Sequence, residues 1–283
     1  MATRRTQNTA FGAGTMKAIE QHVDPDQRLF DDPLAGRLLT GPPAVLVRVA
    51  PLRKLLVAAM GRIAPGLVGG MVCRTRAVDD ATAEALPGVR QVVIIGAGLD
   101  TRPYRLAGLD GLPVWELDLP EVQAAKRAAI GRVLGAPPAN VRYVPVDLET
   151  RPLPTVLAEA GFDATVPALL IWEGVCMYLR RSAVDEALAF AGSLPGGSRL
   201  VFTYLPEWVL TSPKYASLVR RMHWKTGFPP DSLAAVLSGY GLSLLDDAGP
   251  AEYEQRYLAP RHRTLPVFEI ERCAVAAAGD RPL

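Results

Sequence analysis

The segment QVVIIGAGLDTR, residues 91–102, decides how this 283-residue chain is expected to fold. Its apolar run, Val92 to Ile95, leads directly into Gly96-Ala97-Gly98, which is typical of a central parallel strand buried on both faces. The glycines allow a tight turn and a close approach of the backbone to a ligand. Asp100 or Thr101 can cap the helix that follows. A strand, a glycine turn and a helix N-terminus together predict a cofactor site.

Strand and helix patterns alternate along the rest of the chain. After the first strand, the predicted strands cover residues 112–118, 141–147, 168–174, 199–205, 242–247 and 267–277. Helices are predicted over residues 70–86 and 121–135, with Ser182 and Ser232 as N-caps of two more. This alternation predicts an α/β fold, an open and mostly parallel seven-stranded sheet with helices on both faces.

The N-terminal region differs from this alternating part. A helix over residues 15–21 would carry Lys17, and residues 44–63 have the spacing of one amphipathic helix kinked at Pro51. That helix could be a lid, a membrane-surface helix or simple packing, and packing or a lid is favoured. We therefore expect an arm and helical lid over residues 1–69, joined compactly to a main domain over residues 70–283.

Composition narrows the classes of function. The formal net charge of +2 gives no reason to expect nucleic acid or a membrane as a partner. Residues 1–14 lack the apolar core of a signal peptide, and basic residues interrupt every apolar stretch long enough to span a membrane. Three scattered cysteines show no metal-binding spacing and suit a reducing cytoplasm. We expect a cytoplasmic monomer or homodimer without a metal.

Three successive predicted strands end in acidic residues: Asp118, Asp147 and Glu173. In such a sheet, ligands bind beyond the carboxyl ends of the strands. The hydroxyls and amine of a nucleoside are donors, and carboxylates accept without carrying a competing proton. A single strand-end acid is more often a helix cap or a solvated loop residue. The ordered set favours a nucleoside-containing cofactor.

The glycine turn alone does not identify that cofactor. A G-x-G turn followed by an acid also describes a nicotinamide dinucleotide site. Here the third glycine is missing, and Asp100 inside the turn would repel a pyrophosphate but tolerate a cationic sulfonium. This favours S-adenosylmethionine over NAD without deciding between them.

The chain resembles the leucine carboxyl methyltransferase family, S-adenosylmethionine-dependent enzymes whose bacterial branch includes O-methyltransferases and polyketide-tailoring enzymes. The resemblance runs from about residue 10 to 205 and includes LFDDPLA (29–35). Its main motifs are CRTRAVDD (73–80), IIGAGLDTRPYRL (94–106), WELDLP (115–120), VPVDLE (144–149) and IWEGVCMYL (171–179). It implies a Rossmann-like class I methyltransferase fold that binds S-adenosylmethionine and releases S-adenosylhomocysteine.

The resemblance also implies how the methionine part of the cofactor is held. Arg74 would pair with the methionine carboxylate, a match of guanidinium and carboxylate that is often bidentate. Gly96 and Gly98 would let the backbone approach this part, and Glu173 would receive the amino group. Lys17 would correspond to a lysine of the family's N-terminal lid, although its spacing to the Asp-Pro turn is longer here.

For the nucleoside part, the resemblance implies three contacts. Asp118 would hold the ribose hydroxyls. Asp147 would accept from the adenine amine, and Leu148 would pack on the adenine ring.

The acceptor is less constrained by the sequence. A carboxylate acceptor is ionised at neutral pH and needs no base, whereas a hydroxyl generally benefits from one. His223 is a candidate base within the aromatic and basic segment 214–228. That segment could instead be an amphipathic helix with its basic face in water. The candidate acceptor-lining residues are Tyr178, Tyr204, Arg220, His223 and Trp224, although packing is favoured for the two tyrosines.

The resulting prediction is an S-adenosylmethionine-dependent O-methyltransferase acting on a small molecule. A carboxylate, giving a methyl ester, is the first choice of acceptor, and a phenolic or enolic hydroxyl of a polyketide-like natural product is close behind. Two alternatives stay open: a nicotinamide-dependent oxidoreductase, and a cofactor-binding protein of this fold with lost or altered chemistry.

Overall fold

A computed structural model describes residues 12–279 of the chain. The prediction that residues 1–14 are not a signal peptide falls mostly outside these residues. The described chain contains a seven-stranded sheet of order β3-β2-β1-β4-β5-β7-β6. Its strands are β1 Gln91–Ile95, β2 Val114–Asp118, β3 Val141–Pro145, β4 Ala168–Trp172, β5 Arg199–Tyr204, β6 Leu242–Ala248 and β7 Arg272–Ala278.

The sheet is mostly parallel, as predicted. Strands β3, β2, β1, β4 and β5 pair in parallel, while β7 runs antiparallel to both β5 and β6. Every residue of β1 is buried, and β1 lies between the parallel strands β2 and β4, which confirms it as an interior strand of the sheet. The carboxyl ends of the parallel strands therefore meet at one edge, next to the glycine turn.

Helices flank the sheet on both faces. They are α1 (residues 12–20), α2 Ala35–Leu38, α3 Gly41–Arg48, α4 Ala50–Ile63, α5 Leu67–Ala85, α6 Arg102–Arg105, α7 Pro120–Leu134, α8 Leu153–Glu159, α9 Arg181–Ser193, α10 Trp208–Thr211, α11 Ala216–Met222, α12 Leu233–Ser238 and α13 Pro250–Tyr253. Short 3-10 turns occupy Leu86–Gly88, Cys176–Tyr178, Pro230–Ser232 and Ala259–Arg261, and a π-helical turn follows α13 at Glu254–Leu258.

The core divides at the sheet because successive strand side chains point to opposite faces. Val93 and Ile95 of β1 belong to a cluster with α8, α9 and α12. Val92 and Ile94 belong to the opposite cluster, with α5 and α13. The predicted two-sided packing is thus confirmed in the described chain.

The N-terminal arm forms an outer layer. Ala18 and Ile19 of α1 cluster with α2 and α3 residues and with Leu99, which lies just beyond the second glycine of the turn. The helix predicted over residues 15–21 is confirmed. The prediction of one helix kinked at Pro51 is wrong, because the chain breaks into α3 and α4 at Val49, whose backbone is extended (ψ 110°). Pro51 lies in the first turn of α4, where proline is tolerated.

Three local predictions need correction. Ser182 does not cap α9, because this helix begins at Arg181 and Ser182 lies within its first turn. Ser232 does sit at the N-cap of α12, but its side chain makes no capping hydrogen bond. The last strand begins at Arg272 rather than at residue 267.

Among residues 12–279, no single helix is long and apolar enough to cross a membrane. One pair of helical segments, Ala50–Ile63 and Leu67–Gly88, passes the same test of length and composition together, with a bend of 101° between them.

Candidate functional site

The glycine turn after β1 is held to the end of β2 by backbone hydrogen bonds. Gly96 (φ 71°) and Gly98 (φ 40°) adopt left-handed backbone conformations. The N–H groups of Gly96 and Ala97 both donate to the carbonyl of Leu117, at 2.8 and 2.9 Å. A Cβ atom at Gly96 would lie 2.2 Å from a methyl carbon of Val175. The turn therefore requires glycine for both its conformation and its space.

Asp118 lies directly against this turn. Its Oδ2 accepts from the N–H of Gly98 at 2.6 Å, and its Oδ1 accepts from the N–H of Leu119 at 2.7 Å. Burial raises the pKa of Asp118, and these two backbone donors oppose that shift. Each carboxylate oxygen has a second lone pair, so the group retains capacity to accept from a ligand.

Glu173 lies just beyond β4 and joins three cations. Its Oε1 accepts from Arg74 Nε at 3.0 Å, its Oε2 accepts from Arg102 Nη1 at 2.6 Å, and Lys17 Nζ lies 3.6 Å from Oε2. Burial alone would raise the pKa of Glu173, but Lys17, Arg102 and Arg74 outweigh it and hold the pKa well below its usual range. The structure therefore brings the predicted residues Lys17, Arg74 and Glu173 together.

Arg74 projects from α5 and has a second acidic partner that sequence reasoning missed. Its Nη1 donates to both carboxylate oxygens of Glu271 at 2.6 Å, and the Thr203 hydroxyl donates to the same carboxylate at 3.2 Å. Glu271 was predicted to lie inside the last strand. Strand β7 begins at Arg272, so Glu271 lies immediately before it. This position is beside the carboxyl end of β5, the antiparallel neighbour of β7.

Arg102 is the second missed residue of this site. Its side chain is fully buried and donates to Asp79 at 2.7 Å and to Asp100 at 2.7 Å, besides Glu173. Asp100 also accepts from the Arg102 backbone N–H at 2.8 Å, while Thr101 occupies the N-cap position of α6 without a side-chain capping hydrogen bond. The negative charge of Asp100 is thus paired with the Arg102 guanidinium. The sequence signal for Arg102 was its place four residues after Gly98, within the motif IIGAGLDTRPYRL.

A second buried ion pair, between Lys126 and Glu116, lies next to the glycine turn. Lys126 Nζ of α7 donates to Glu116 Oε1 at 2.8 Å and to the Ala97 carbonyl at 3.3 Å. The Tyr104 hydroxyl also donates to Glu116, at 3.0 Å. These contacts fix the turn to both β2 and α7.

Asp147 and Leu148 occupy the turn after β3. Asp147 is exposed, and its Oδ1 accepts from the N–H of Glu149 at 2.9 Å. Leu148 is half-buried and packs against the apolar cluster on the α8 side of the sheet. Both residues lie at the predicted edge of the sheet, with Asp147 open to solvent.

The candidate acceptor-lining residues lie in three environments: Tyr178 and Trp224 share one, Arg220 and His223 share another, and Tyr204 lies in a third. Tyr178 and Trp224 are half-buried and pack against one cluster, which includes Met177. Arg220 and His223 are exposed on and after α11, and His223 ends that helix in a left-handed conformation (φ 58°).

Tyr204, the remaining candidate for the acceptor lining, lies in the core. Its side chain is fully buried, and its hydroxyl donates to Asp247 of β6 at 2.9 Å. Tyr204 and Phe202 share the same apolar cluster, because residues two apart in a strand point to the same face. Tyr204 therefore belongs to the core rather than to an acceptor surface.

The strand order, the glycine turn and the acidic strand ends define a Rossmann-like methyltransferase fold. Two solved structures share this fold with the chain, each at low sequence identity. A "putative methyltransferase" from Thermobifida fusca has a TM-score of 0.57 and 20% identity, with 81% of this chain and 88% of that chain covered. A DUF574 family protein from Streptomyces avermitilis has a TM-score of 0.54 and 21% identity, with coverages of 81% and 91%.

The chain belongs to the leucine carboxyl methyltransferase family, whose sequence profile matches residues 10–192. A relative from Mycobacterium avium, named "Putative S-adenosyl-L-methionine-dependent methyltransferase", is 34% identical over 250 residues, which cover 84% of this chain and 80% of the relative. A relative of the same name from Mycolicibacterium gilvum is 44% identical over 145 residues, covering 50% of this chain and 47% of the relative. The predicted family is confirmed, and the predicted cofactor is the one named for these relatives.

Proposed function

We propose that this methyltransferase binds S-adenosylmethionine at the carboxyl edge of the sheet and methylates an oxygen atom of a small molecule. The observation that carries the proposal is the buried contact between Arg74 and Glu173 at the end of β4. An amino acid presents a carboxylate and an ammonium group, and this pair offers one partner for each. Guanidinium and carboxylate are the side chains that match these groups by charge and geometry.

Two further residues support this assignment, because their charged groups lie where the carboxylate and the amino group of methionine would lie. Glu271 presents a carboxylate to Arg74, as the methionine carboxylate would. Lys17 presents an ammonium group 3.6 Å from Glu173, as the cofactor's amino group would. The donors and acceptors at this edge therefore suit the methionine part of the cofactor, and binding would exchange these internal partners for those of the ligand.

The nucleoside part would lie further along the same edge. Asp118 would accept from the ribose hydroxyls, since it is already fixed to the glycine turn and keeps lone pairs available. Asp147 would accept from the adenine amine, and Leu148 would pack against the ring. The arm over residues 1–69 would serve as the lid, because α1 packs on Leu99 beside the turn.

S-adenosylmethionine, when bound, supplies a methyl group on a positively charged sulfur with a neutral leaving group. The residues of the chain then have two tasks. Arg74, Glu173 and Asp118 fix the position of the donor, which lowers the entropic part of the barrier. The arm excludes water from the site, which prevents hydrolysis and strengthens electrostatic contacts.

A carboxylate is the first choice of acceptor, because it is ionised at neutral pH and needs no general base. Tyr178 and Trp224 would provide apolar contact for its body, and Arg220 would provide a positive charge near its acidic group. A phenolic or enolic hydroxyl is the second choice, with His223 as the candidate base.

The proposal is tested with methyl-labelled S-adenosylmethionine and pairs of acceptors that differ only in carrying a carboxyl or a hydroxyl group. Transfer to the carboxyl member as a base-labile methyl ester, at equal rates in the wild type and His223→Ala, is the expected result. Transfer only to hydroxyl acceptors, with a loss of several hundredfold in folded His223→Ala, would replace the carboxylate by a base-assisted hydroxyl. Label on nitrogen or carbon would contradict O-methylation.

A further inference from the structure

Charge is distributed unevenly along this chain. Its net charge is only +2, but residues 33–78 contain seven basic residues and no acidic residue. Four of the basic residues lie on or between α3 and the end of α4: Arg48, Arg53, Lys54 and Arg62. Within the described part of the chain, none of these four forms an ion pair with an acidic side chain. The net charge of the whole chain is therefore near zero although residues 33–78 are strongly positive.

Helix α4 presents an apolar stripe to solvent. No residue of this 14-residue helix is buried. Its inner side packs through Leu56 and Val57 onto the cluster that contains Leu99. On the outer side, Leu52, Leu55 and Ile63 are 36%, 67% and 81% exposed. With Ala59 these residues follow spacings of three, four and four, so they form one continuous stripe along the helix.

The basic residues border this stripe. Lys54 and Arg62 are exposed on the neighbouring strip of the α4 surface, on one side of the leucines. Val45 and Val49 continue the exposed apolar surface along α3 and the break between the helices, at 53% and 42% exposure. A helix surface that combines a solvent-facing apolar stripe with only positive charges is typical of helices that lie in a membrane interface.

A surface cavity next to α3 adds a second feature, which shares Val45 and Arg48 with the first. It has a volume of about 680 Å³ and is lined by Arg37, Arg48 and Arg132 together with apolar and small residues, Val45 among them. Its lining contains no acidic residue. Arg37 and Arg132 donate to the backbone carbonyls of Val133 and Leu38, which hold two of these guanidinium groups in place. Three arginines around one cavity suit a phosphate group.

We propose that α3 and α4 dock this protein peripherally on an anionic phospholipid surface. The stripe of Leu52, Leu55 and Ile63 enters the acyl boundary, and the arginine cavity takes a headgroup phosphate. A second copy of the chain does not suit this face, because two segments with four unpaired positive charges each would repel one another. Membrane crossing does not suit it either, because α5, the other half of the bent pair, is part of the protein core.

This inference does not rest on the proposed methyl transfer. It departs from the sequence expectation of no membrane partner, which rested on the net charge of the whole chain. Since α4 also packs on the cluster around Leu99, docking would place the membrane on the side of the molecule that carries the glycine turn.

The test is co-sedimentation of the full chain with vesicles of phosphatidylcholine, with and without phosphatidylglycerol. We expect binding only when phosphatidylglycerol is present, and release at high salt. In Lys54→Glu/Arg62→Glu, binding falls by at least about 25-fold, since each basic residue near an anionic surface contributes about fivefold. In Leu55→Ser/Ile63→Ser, it falls by at least about tenfold, because two buried side chains lose their apolar contact.

Matched controls are Arg90→Glu and Leu245→Ser, which change an exposed basic and an exposed apolar residue elsewhere on the surface. Both controls should bind as the wild type does, and circular dichroism should confirm that all variants fold. Three results would overturn the proposal: no binding to phosphatidylglycerol vesicles, equal loss in the controls, or self-association that Leu55→Ser/Ile63→Ser abolishes. Complete displacement from the vesicles by soluble glycerol phosphate would also overturn it, since the stripe would then contribute nothing.

Discussion

At the scale of single residues, Glu173 organises the site. One buried carboxylate is shared by Arg74, Arg102 and Lys17, which come from α5, α6 and α1. Removing this anion leaves the buried positive charge only partly compensated, by Glu271 at Arg74 and by Asp79 and Asp100 at Arg102, and breaking a buried pair costs more than the pair itself contributes. Glu173 therefore joins α1 of the arm, α5 and α6 to the end of β4 through one side chain.

Glu173→Gln is expected to lower the free energy of unfolding at neutral pH by about 3–5 kcal/mol, because three buried cations lose their shared anion. The pKa of Glu173 lies well below its usual range. Its contribution is therefore complete above the unfolded pKa, about 4.3, and is lost as the pH falls through the folded pKa. Urea unfolding at decreasing pH measures both effects.

The difference between wild type and Glu173→Gln should therefore shrink only under acidic conditions. Glu159→Gln is the matched control, because Glu159 pairs with Arg151 on the exposed surface and should change stability little. A constant difference from neutral to strongly acidic pH would show that Glu173 is not the ionised centre of the cluster.

At the scale of elements, the glycine turn is specified by backbone geometry and by its neighbour Val175. Gly96 combines a left-handed φ with a Cβ position 2.2 Å from the side chain of Val175. A left-handed conformation alone costs about 1–2 kcal/mol for other residues. The steric conflict adds to this cost.

Gly96→Ala is expected to destabilise the protein by more than this strain and to weaken cofactor binding through displacement of the turn. Val175→Ala removes the clashing methyl groups, so Gly96→Ala/Val175→Ala should recover the steric part of the loss but not the strain. Gly131→Ala is the control, because a Cβ there meets nothing within 4 Å and alanine is favoured over glycine within a helix such as α7. Thermal unfolding gives the comparison, and a fully additive double variant would contradict the steric argument.

The elements also show how far the sequence could predict this site. The order of glycines and acids along the chain was enough to predict that Gly98 and Asp118 lie at the same edge of the sheet, because neighbouring parallel strands end at one edge. Glu271 could not be predicted, because its place depends on where the antiparallel β7 begins. Tyr204 could be named only as a candidate, because a strand pattern does not say which face of the sheet a residue joins. Such pairings depend on register, which is fixed only by the folded sheet.

At the scale of the whole molecule, the arm is tied to the C-terminal region of the described chain. Arg263 donates to both oxygens of Glu20 in α1, at 2.6 and 2.8 Å, and the Glu20 side chain is almost fully buried. Glu20 also accepts from the N–H of Leu29 at 2.8 Å. These contacts join parts of the chain that are 243 residues apart.

Glu20→Gln and Arg263→Met are each expected to lower the free energy of unfolding by about 3 kcal/mol, since each leaves a buried partner unpaired. The double variant should lose less than the sum, with a coupling of about 1–3 kcal/mol. The same cycle on the exposed pair Arg151 and Glu159 should show almost no coupling. Additive losses at Glu20 and Arg263 would mean that the arm is attached by other contacts.

The central claim is that the edge of the sheet between β1, β2 and β4 binds S-adenosylmethionine. Its most direct test is calorimetric titration of the purified protein with S-adenosylhomocysteine, in the wild type, in Asp118→Ala and in the exposed control Asp110→Ala. We expect saturable one-site binding that Asp118→Ala weakens by about 1–3 kcal/mol, because the ribose hydroxyls lose their acceptor, and that Asp110→Ala leaves unchanged. No binding of S-adenosylhomocysteine, with NAD bound at the same edge instead, would contradict the claim.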